Sequence, residues 1–170
     1  YLLRGVAIER VNHVWSTDIT YIPMKSGFLY LVAVMDWYSR MILSYELSNT
    51  LGCHFCISAV ENALLTYDKP EIFNSAQGSQ FTSSKFCGVL ADHNIQISMD
   101  GRGRALDNVF IERVWWTLKY EEVYLNAYEN VKEAQTRIGN FFTKYNFRRP
   151  HQSLQYLTPS EVYFGRMEGI

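Results

Sequence analysis

The chain has only three cysteines in 170 residues: Cys53, Cys56 and Cys87. An odd count with no second closely spaced pair does not make a disulfide framework. Cys53-His54-Phe55-Cys56 has the spacing of a zinc or redox half-site, but it lacks the further ligands a structural zinc needs. The reading preferred here is ordinary small residues in a helix, with reduced thiols and a cytoplasmic setting. Long apolar runs are also missing, and none approaches the roughly 20 residues that a membrane-spanning helix requires. Tyr1-Leu2-Leu3-Arg4 has no charged segment followed by an apolar stretch, so no signal peptide is expected; the missing initiator Met suggests a segment cut from a longer chain. There is no excess of positive charge either, since 16 Lys and Arg stand against 17 Asp and Glu, a net of −1. Non-specific affinity for a nucleic acid comes mostly from Lys and Arg at its phosphates, so such binding would be weak or confined to a local basic patch. The cations do cluster late in the chain, at Arg102, Arg104, Arg113, Lys119, Lys144, Arg148 and Arg149. Internal repeats, low-complexity tracts and linkers are absent. What is abundant is apolar: 48% hydrophobic and 15% aromatic residues argue against disorder and for one domain with a single core.

The pattern then predicts the elements. Val14 to Ile22 is rich in β-branched and aromatic residues, Phe28 to Met35 is a continuous apolar run, and Met41 to Leu47 alternates. A continuous run suits a strand covered on both faces. Short turns at Lys25-Ser26-Gly27 and Asp36 to Arg40 make these three strands an antiparallel meander. Helical spacing follows from Gly52 to Tyr67, ended by Lys69-Pro70. Glu71 to Ser75 reads as a strand, Phe81 to His93 as a helix and Ile95 to Met99 as a fifth strand. After a permissive loop, Asp100-Gly101-Arg102-Gly103-Arg104, two long helices are expected, Asp107 to Tyr124 and Val131 to Tyr145. The order βββαβαβαα implies an α/β fold with a mixed five-stranded sheet flanked by helices.

Two acids stand out against this background. Asp is depleted in strands, yet Asp18 lies mid-strand in Trp15-Ser16-Thr17-Asp18-Ile19-Thr20-Tyr21, on one face with Ser16 and Thr20. It is either a ligand on a rigid strand or an edge residue facing water. Glu112 belongs to a stripe, Asn108, Glu112, Trp116 and Lys119, beside the apolar stripe of Phe110, Ile111, Val114, Trp115 and Leu118. An acid, an aromatic and a base in line suit a metal, a nucleotide and a phosphate; the plainer reading is a solvated face with a Glu–Lys pair. Carboxylates from separate elements that converge on two divalent ions are what two-metal phosphoryl transfer needs, with the ions about 4 Å apart. Residues 77–111, 35 in all, separate Glu112 from Ala76, which follows the predicted strand ending at Ser75.

Five segments together resemble bacterial insertion-sequence transposases with a retroviral-integrase-type core. They are Trp15 to Tyr21, Asp36-Trp37-Tyr38-Ser39-Arg40, Gln77-Gly78-Ser79-Gln80-Phe81, Asp107-Asn108-Val109-Phe110-Ile111-Glu112-Arg113, and Tyr145 to Leu154 with its continuation Thr158 to Tyr163. The resemblance runs from about Asn12 to Phe164. It implies a ribonuclease-H-like fold, a single catalytic core domain over 1–170, and DNA strand cleavage and transfer with Mg²⁺ or Mn²⁺. It also implies element ends and target DNA as partners, and a homodimer or higher oligomer. In the family a separate N-terminal helical domain reads the element ends, and that domain is expected to be absent from this chain. The resemblance carries metal-ligand roles to Asp18 and Glu112 and a donor-DNA contact to Lys119. Trp116, Asn108, Arg102, Arg104, Arg148 and Arg149 are further candidate DNA contacts, although loop and surface arginines are often merely solvated; His151 is not expected to bind metal.

The departure is Ala76, where the family has Asp. A methyl group cannot bind a cation, and Asp36 and Asp92 are at the wrong strand ends to replace it. A decayed mobile element and a deliberately inactivated copy both explain the change, and the intact surrounding motif favours the second. The expectation is therefore an impaired transposase core. The alternatives are a catalytically dead DNA-binding and dimerisation module and, less favoured by the Tyr145 to Tyr163 segment, a structure-selective nuclease of the same fold.

Overall fold

A computed structural model describes residues 2–101 and 108–165. Three strands open it: β1 (Val14–Pro23), β2 (Phe28–Asp36) and β3 (Ile42–Ser48). They pair antiparallel, β1 with β2 and β2 with β3. Helix α1 (His54–Thr66) leads to β4 (Ile72–Ser75), which pairs parallel with β1. Helices α2 (Ser79–Thr82) and α3 (Ser84–Asp92) lead to β5 (Gln96–Met99), parallel to β4. The sheet order β3-β2-β1-β4-β5 puts β1 in the centre. Helix α4 (Val109–Leu118) runs into a π-helical turn (Lys119–Val123), then α5 (Val131–Phe147), a 3₁₀ turn (Gln152–Leu154) and α6 (Pro159–Phe164).

The apolar run of β2 divides as a doubly covered strand must. Leu31, Ala33 and Met35 pack with Ile111, Val114, Trp115 and Leu118 of α4 and with Ile138 and Phe142 of α5. Val32 and Val34 face the other way, against Phe55, Ala59 and Val60 of α1 and Phe86 and Leu90 of α3. Each such buried side chain contributes about 1.5–3 kcal/mol relative to exposure. No described helix is long and apolar enough to cross a membrane.

The structure departs from the predicted elements in several places, beyond shifts of a residue at strand ends. The helix expected over Phe81 to His93 begins earlier, at Ser79, and breaks at Ser83, which is extended at φ −63° and ψ 145°. The Ser83 Oγ accepts the Phe86 N–H at 3.2 Å and so caps a new helix, the local competition that disfavours serine inside helices. The helix expected to reach Tyr124 changes to π geometry at Lys119, where the Tyr124 N–H reaches the Lys119 carbonyl at 2.8 Å. Its expected first residue, Asp107, lies outside the described residues. An unassigned short helix, α6, starts with a complete capping box of Thr158 and Glu161 and Pro159 in its first turn. Finally, α5 extends to Phe147 rather than Tyr145.

Candidate active site

The central strand holds the first acid. In β1, Ile22 packs into the α4–α5 layer while Trp15 packs into the α1–α3 layer. Alternation therefore turns Ser16, Asp18 and Thr20 towards α4. Helix α4 lies across this face because Ile111, Val114, Trp115 and Leu118 are buried beneath it. Trp115 donates its Nε1–H to the Asp18 Oδ2 at 3.1 Å and so orients the carboxylate.

Burial dominates the charge state of Asp18, pushing its pKa up to about 6. The Ile19 N–H and the Trp115 indole oppose that rise, while the negative charges of Glu112 and Asp100 add to it. Asp18 and Glu112 thus share one electrostatic field, on the same side of the sheet. Lys119 joins them at the start of the π turn. Burial lowers its pKa, and the Asp18 charge works in the opposite direction.

Asn108, the residue before α4, is 5% exposed. Its Nδ2 donates to the Thr17 carbonyl at 3.4 Å, and its Oδ1 is buried without a hydrogen-bond partner among the described residues. Trp116 is 63% exposed and tilts against Tyr120 with ring centroids 4.8 Å apart; Tyr120 meets Tyr124 edge-on at 5.3 Å. The predicted Asn108–Glu112–Trp116–Lys119 stripe thus ranges from a buried amide to a bare indole. Arg148 is exposed, and Arg149 pairs with Glu121, with Nη2 to Oε1 at 2.8 Å. Arg102 and Arg104 lie outside the described residues.

Ala76 is the first residue after β4, one step beyond the Thr17–Ser75 pair and so level with Asp18. Its methyl packs against the α1–α3 cluster, where an apolar group is better placed than on the polar face. Asp36 is fully buried and accepts hydrogen bonds from the Asn12 and Ser39 N–H groups and the Ser39 hydroxyl, so it is a structural brace for the β2–β3 turn.

Sequence reasoning missed Asp100. The sequence marks it only as the start of a loop, but parallel pairing of β4 and β5 sets it beside the end of β4. Its N–H donates to the Ser75 carbonyl at 2.9 Å, and its Oδ1 accepts the Asn74 Nδ2 at 2.7 Å. The signal available was its position directly after the fifth predicted strand.

The donors here are hard oxygens, the chemistry that Mg²⁺ or Mn²⁺ prefers. Their number falls short: no group of three His, Cys, Asp or Glu able to hold a metal ion occurs among the described residues. The residues present therefore fit a divalent ion in kind and not in count.

The integrase core domain family matches residues 8–105 of this chain, and a second integrase core domain family matches residues 93–159. A putative transposase of insertion sequence element IS150 from Escherichia coli (strain K12) is 31% identical over 162 residues, covering 94% of this chain and 57% of that protein. A transposase of element IS904 from Lactococcus lactis subsp. lactis is 34% identical, covering 88% of this chain and 60% of that protein. The chain thus spans little more than half the length of either relative. Among solved structures, the HTLV-2 integrase catalytic core in complex with magnesium superposes with a TM-score of 0.74 at 18% identity, covering 91% of this chain and 97% of that one. At that identity the likeness speaks for the fold.

Proposed function

Because the chain belongs to the integrase core domain family, we propose that it is the catalytic core of an insertion-sequence transposase, impaired by Ala76. What supports this reading is that Asp18, on the central strand, lies within electrostatic reach of Glu112 on the covering helix and of Lys119. A bound Mg²⁺ or Mn²⁺ pair would supply activation of the attacking oxygen and stabilisation of the leaving one. The protein's own part is positioning. Trp115 holds the Asp18 carboxylate, α4 presents Glu112 to it, Lys119 supplies a cation for a DNA phosphate, and Trp116 offers a bare face for a base. With alanine at 76 the ligand set is one acid short, so cleavage of element ends and transfer to target DNA fail in this copy. Assembly as a homodimer or higher oligomer belongs to the same proposal.

The test of activity is Ala76→Asp in a chain carrying the remaining length of its relatives. Recovered strand transfer supports the reading. Continued inactivity, with DNA binding intact, favours the second reading, a dead core that still binds DNA, for which Ala76 itself is the observation. DNA contact has its own test. Lys119→Ala should weaken duplex binding about equally across sequences and reduce the salt slope by about one unit, as for a single phosphate contact. Trp116→Ala should cost about 1–3 kcal/mol of single-strand binding with little change in slope, because stacking releases no counterions. Equal salt slopes for the parent and Lys119→Ala would reject the phosphate role.

A further inference from the structure

A basic site lies around the helix from Glu112. Arg40, Arg113, Arg149 and His151 line a cavity of about 180 Å³, floored by Phe110 and Tyr145. Every titratable side chain lining it, other than the Tyr145 phenol, is a base. Arg149 is neutralised by Glu121, but Arg40 and Arg113 form no salt bridge among the described residues. Asp36 offsets part of the Arg40 charge from outside the cavity, and nothing comparable faces Arg113 among the salt bridges of the described residues. The cavity therefore has a net positive charge.

The pocket is also built, not incidental. The Arg40 guanidinium carbon lies over the Phe110 ring, 3.4 Å from its centroid, a cation–π contact that fixes this group at the cavity wall. The Arg40 backbone is left-handed at φ 64°, a conformation that L side chains other than Asn and Asp adopt uncommonly. An arginine held in that conformation, half-buried and with no salt bridge among the described residues, has a role for its side chain. His151 packs its ring edge-on to Tyr145 at 4.9 Å, and its Nε2 is buried with no hydrogen-bond partner among the described residues. Burial and the cations of Arg149 and Arg40 keep this imidazole neutral, so it is ready to take a proton when negative charge enters.

We infer that this cavity binds a phosphate group, held by the Arg40 and Arg113 guanidiniums with His151 as a further donor. Its source is a backbone phosphate of DNA that also reaches the acidic site. Successive residues of an α-helix are about 100° apart, so Arg113 sits a quarter-turn from Glu112, with Trp116 between them. A strand laid across α4 can then place one phosphate at Lys119, a base on Trp116 and another phosphate in this cavity. The choice of DNA as the source rests on the proposed function; the phosphate site itself does not.

The test uses inorganic phosphate and a short duplex as separate probes, with the His151 imidazole resonance as the readout in the whole chain. Millimolar phosphate should shift that resonance and raise the His151 pKa. Arg113→Gln, on an exposed position that leaves the fold undisturbed, should weaken phosphate binding about tenfold or more, as loss of a charge-assisted hydrogen bond does. Duplex should produce the same shift and compete with phosphate, and Arg113→Gln should lower its salt slope by about one. An imidazole that neither probe moves would overturn the site. Phosphate binding that bound duplex neither mimics nor displaces would overturn the DNA source and leave the proposed function standing. Phosphate binding by a chain that binds no duplex at all would instead remove the proposed function and keep the pocket.

Discussion

Ala76→Asp should raise metal-dependent cleavage and strand transfer by more than about a hundredfold. Groups that merely orient a ligand are typically worth 10- to 100-fold in metal affinity or activity, so a ligand itself is worth more. The position supports the expectation. Residue 76 follows β4, level with Asp18 across the β1–β4 pairing, and because its methyl packs against the α1–α3 cluster, an Asp there has to turn its carboxylate past the strand end to meet Asp18 and Glu112. The assay is Mn²⁺-dependent cleavage of an element-end duplex by a chain extended to the length of its relatives. Substantial cleavage by the parent Ala76 chain, lost on Asp18→Ala, would show that another oxygen completes the site. Asp100 is then the group to test, through Asp100→Asn, because it already adds to the Asp18 field from the end of β5.

Asp18→Asn should stabilise the metal-free protein at neutral pH, by up to about 3 kcal/mol at 1.36 kcal/mol per pKa unit. The folded pKa of Asp18 is raised from 3.8 to about 6. Between those values the native state binds more protons than the unfolded chain, so this group makes stability fall as pH rises from about 4 to 6. Above 6 the whole cost is present; below 4 it is gone. Asparagine cannot ionise, and its Oδ1 still accepts the Trp115 N–H. For a domain of this size each kcal/mol moves the melting temperature by roughly 2–4 °C. Melts of both proteins at pH 4 and pH 7 should show a gain at pH 7 that vanishes at pH 4. A gain equal at both pH values, or a loss at pH 7, would contradict the buried, mutually repelled carboxylate.

Much of the fold was legible because it is written in local periodicity. The meander follows from three apolar segments and short turns, and the two-sided burial of β2 from an unbroken run. Asp18 was legible as a misfit, an acid in a strand of β-branched neighbours. Glu112 was legible from its helical company. The features that were not readable depend on geometry that periodicity does not encode. The break at Ser83 is a competition between one hydroxyl and the helix backbone. The π turn at Lys119 inserts no sequence signature, yet it sets where that lysine emerges. Asp100 matters only because β5 lies beside β4, a pairing between segments more than 20 residues apart. The Ala76 methyl turns to the α1–α3 cluster, a facing that a single residue after a short strand does not reveal. The Arg40 pocket joins a turn, a helix and the segment after α5, which no single stretch of sequence reveals.

The central claim is that Asp18 and Glu112 are two parts of a divalent-cation site whose third part is missing at 76. Thermal melts of the parent chain and Ala76→Asp, each with and without millimolar Mn²⁺, test it most directly. Without metal the parent should melt higher, since a third carboxylate adds like-charge repulsion to a crowded cluster. Mn²⁺ should reverse that order, because a ligand bound only to the folded state stabilises by RT ln(1 + [L]/Kd), about 2.7 kcal/mol at a hundredfold excess over Kd. The parent should barely respond. A large Mn²⁺ shift in the parent, abolished by Glu112→Gln, would show that the site is already complete and would contradict the account.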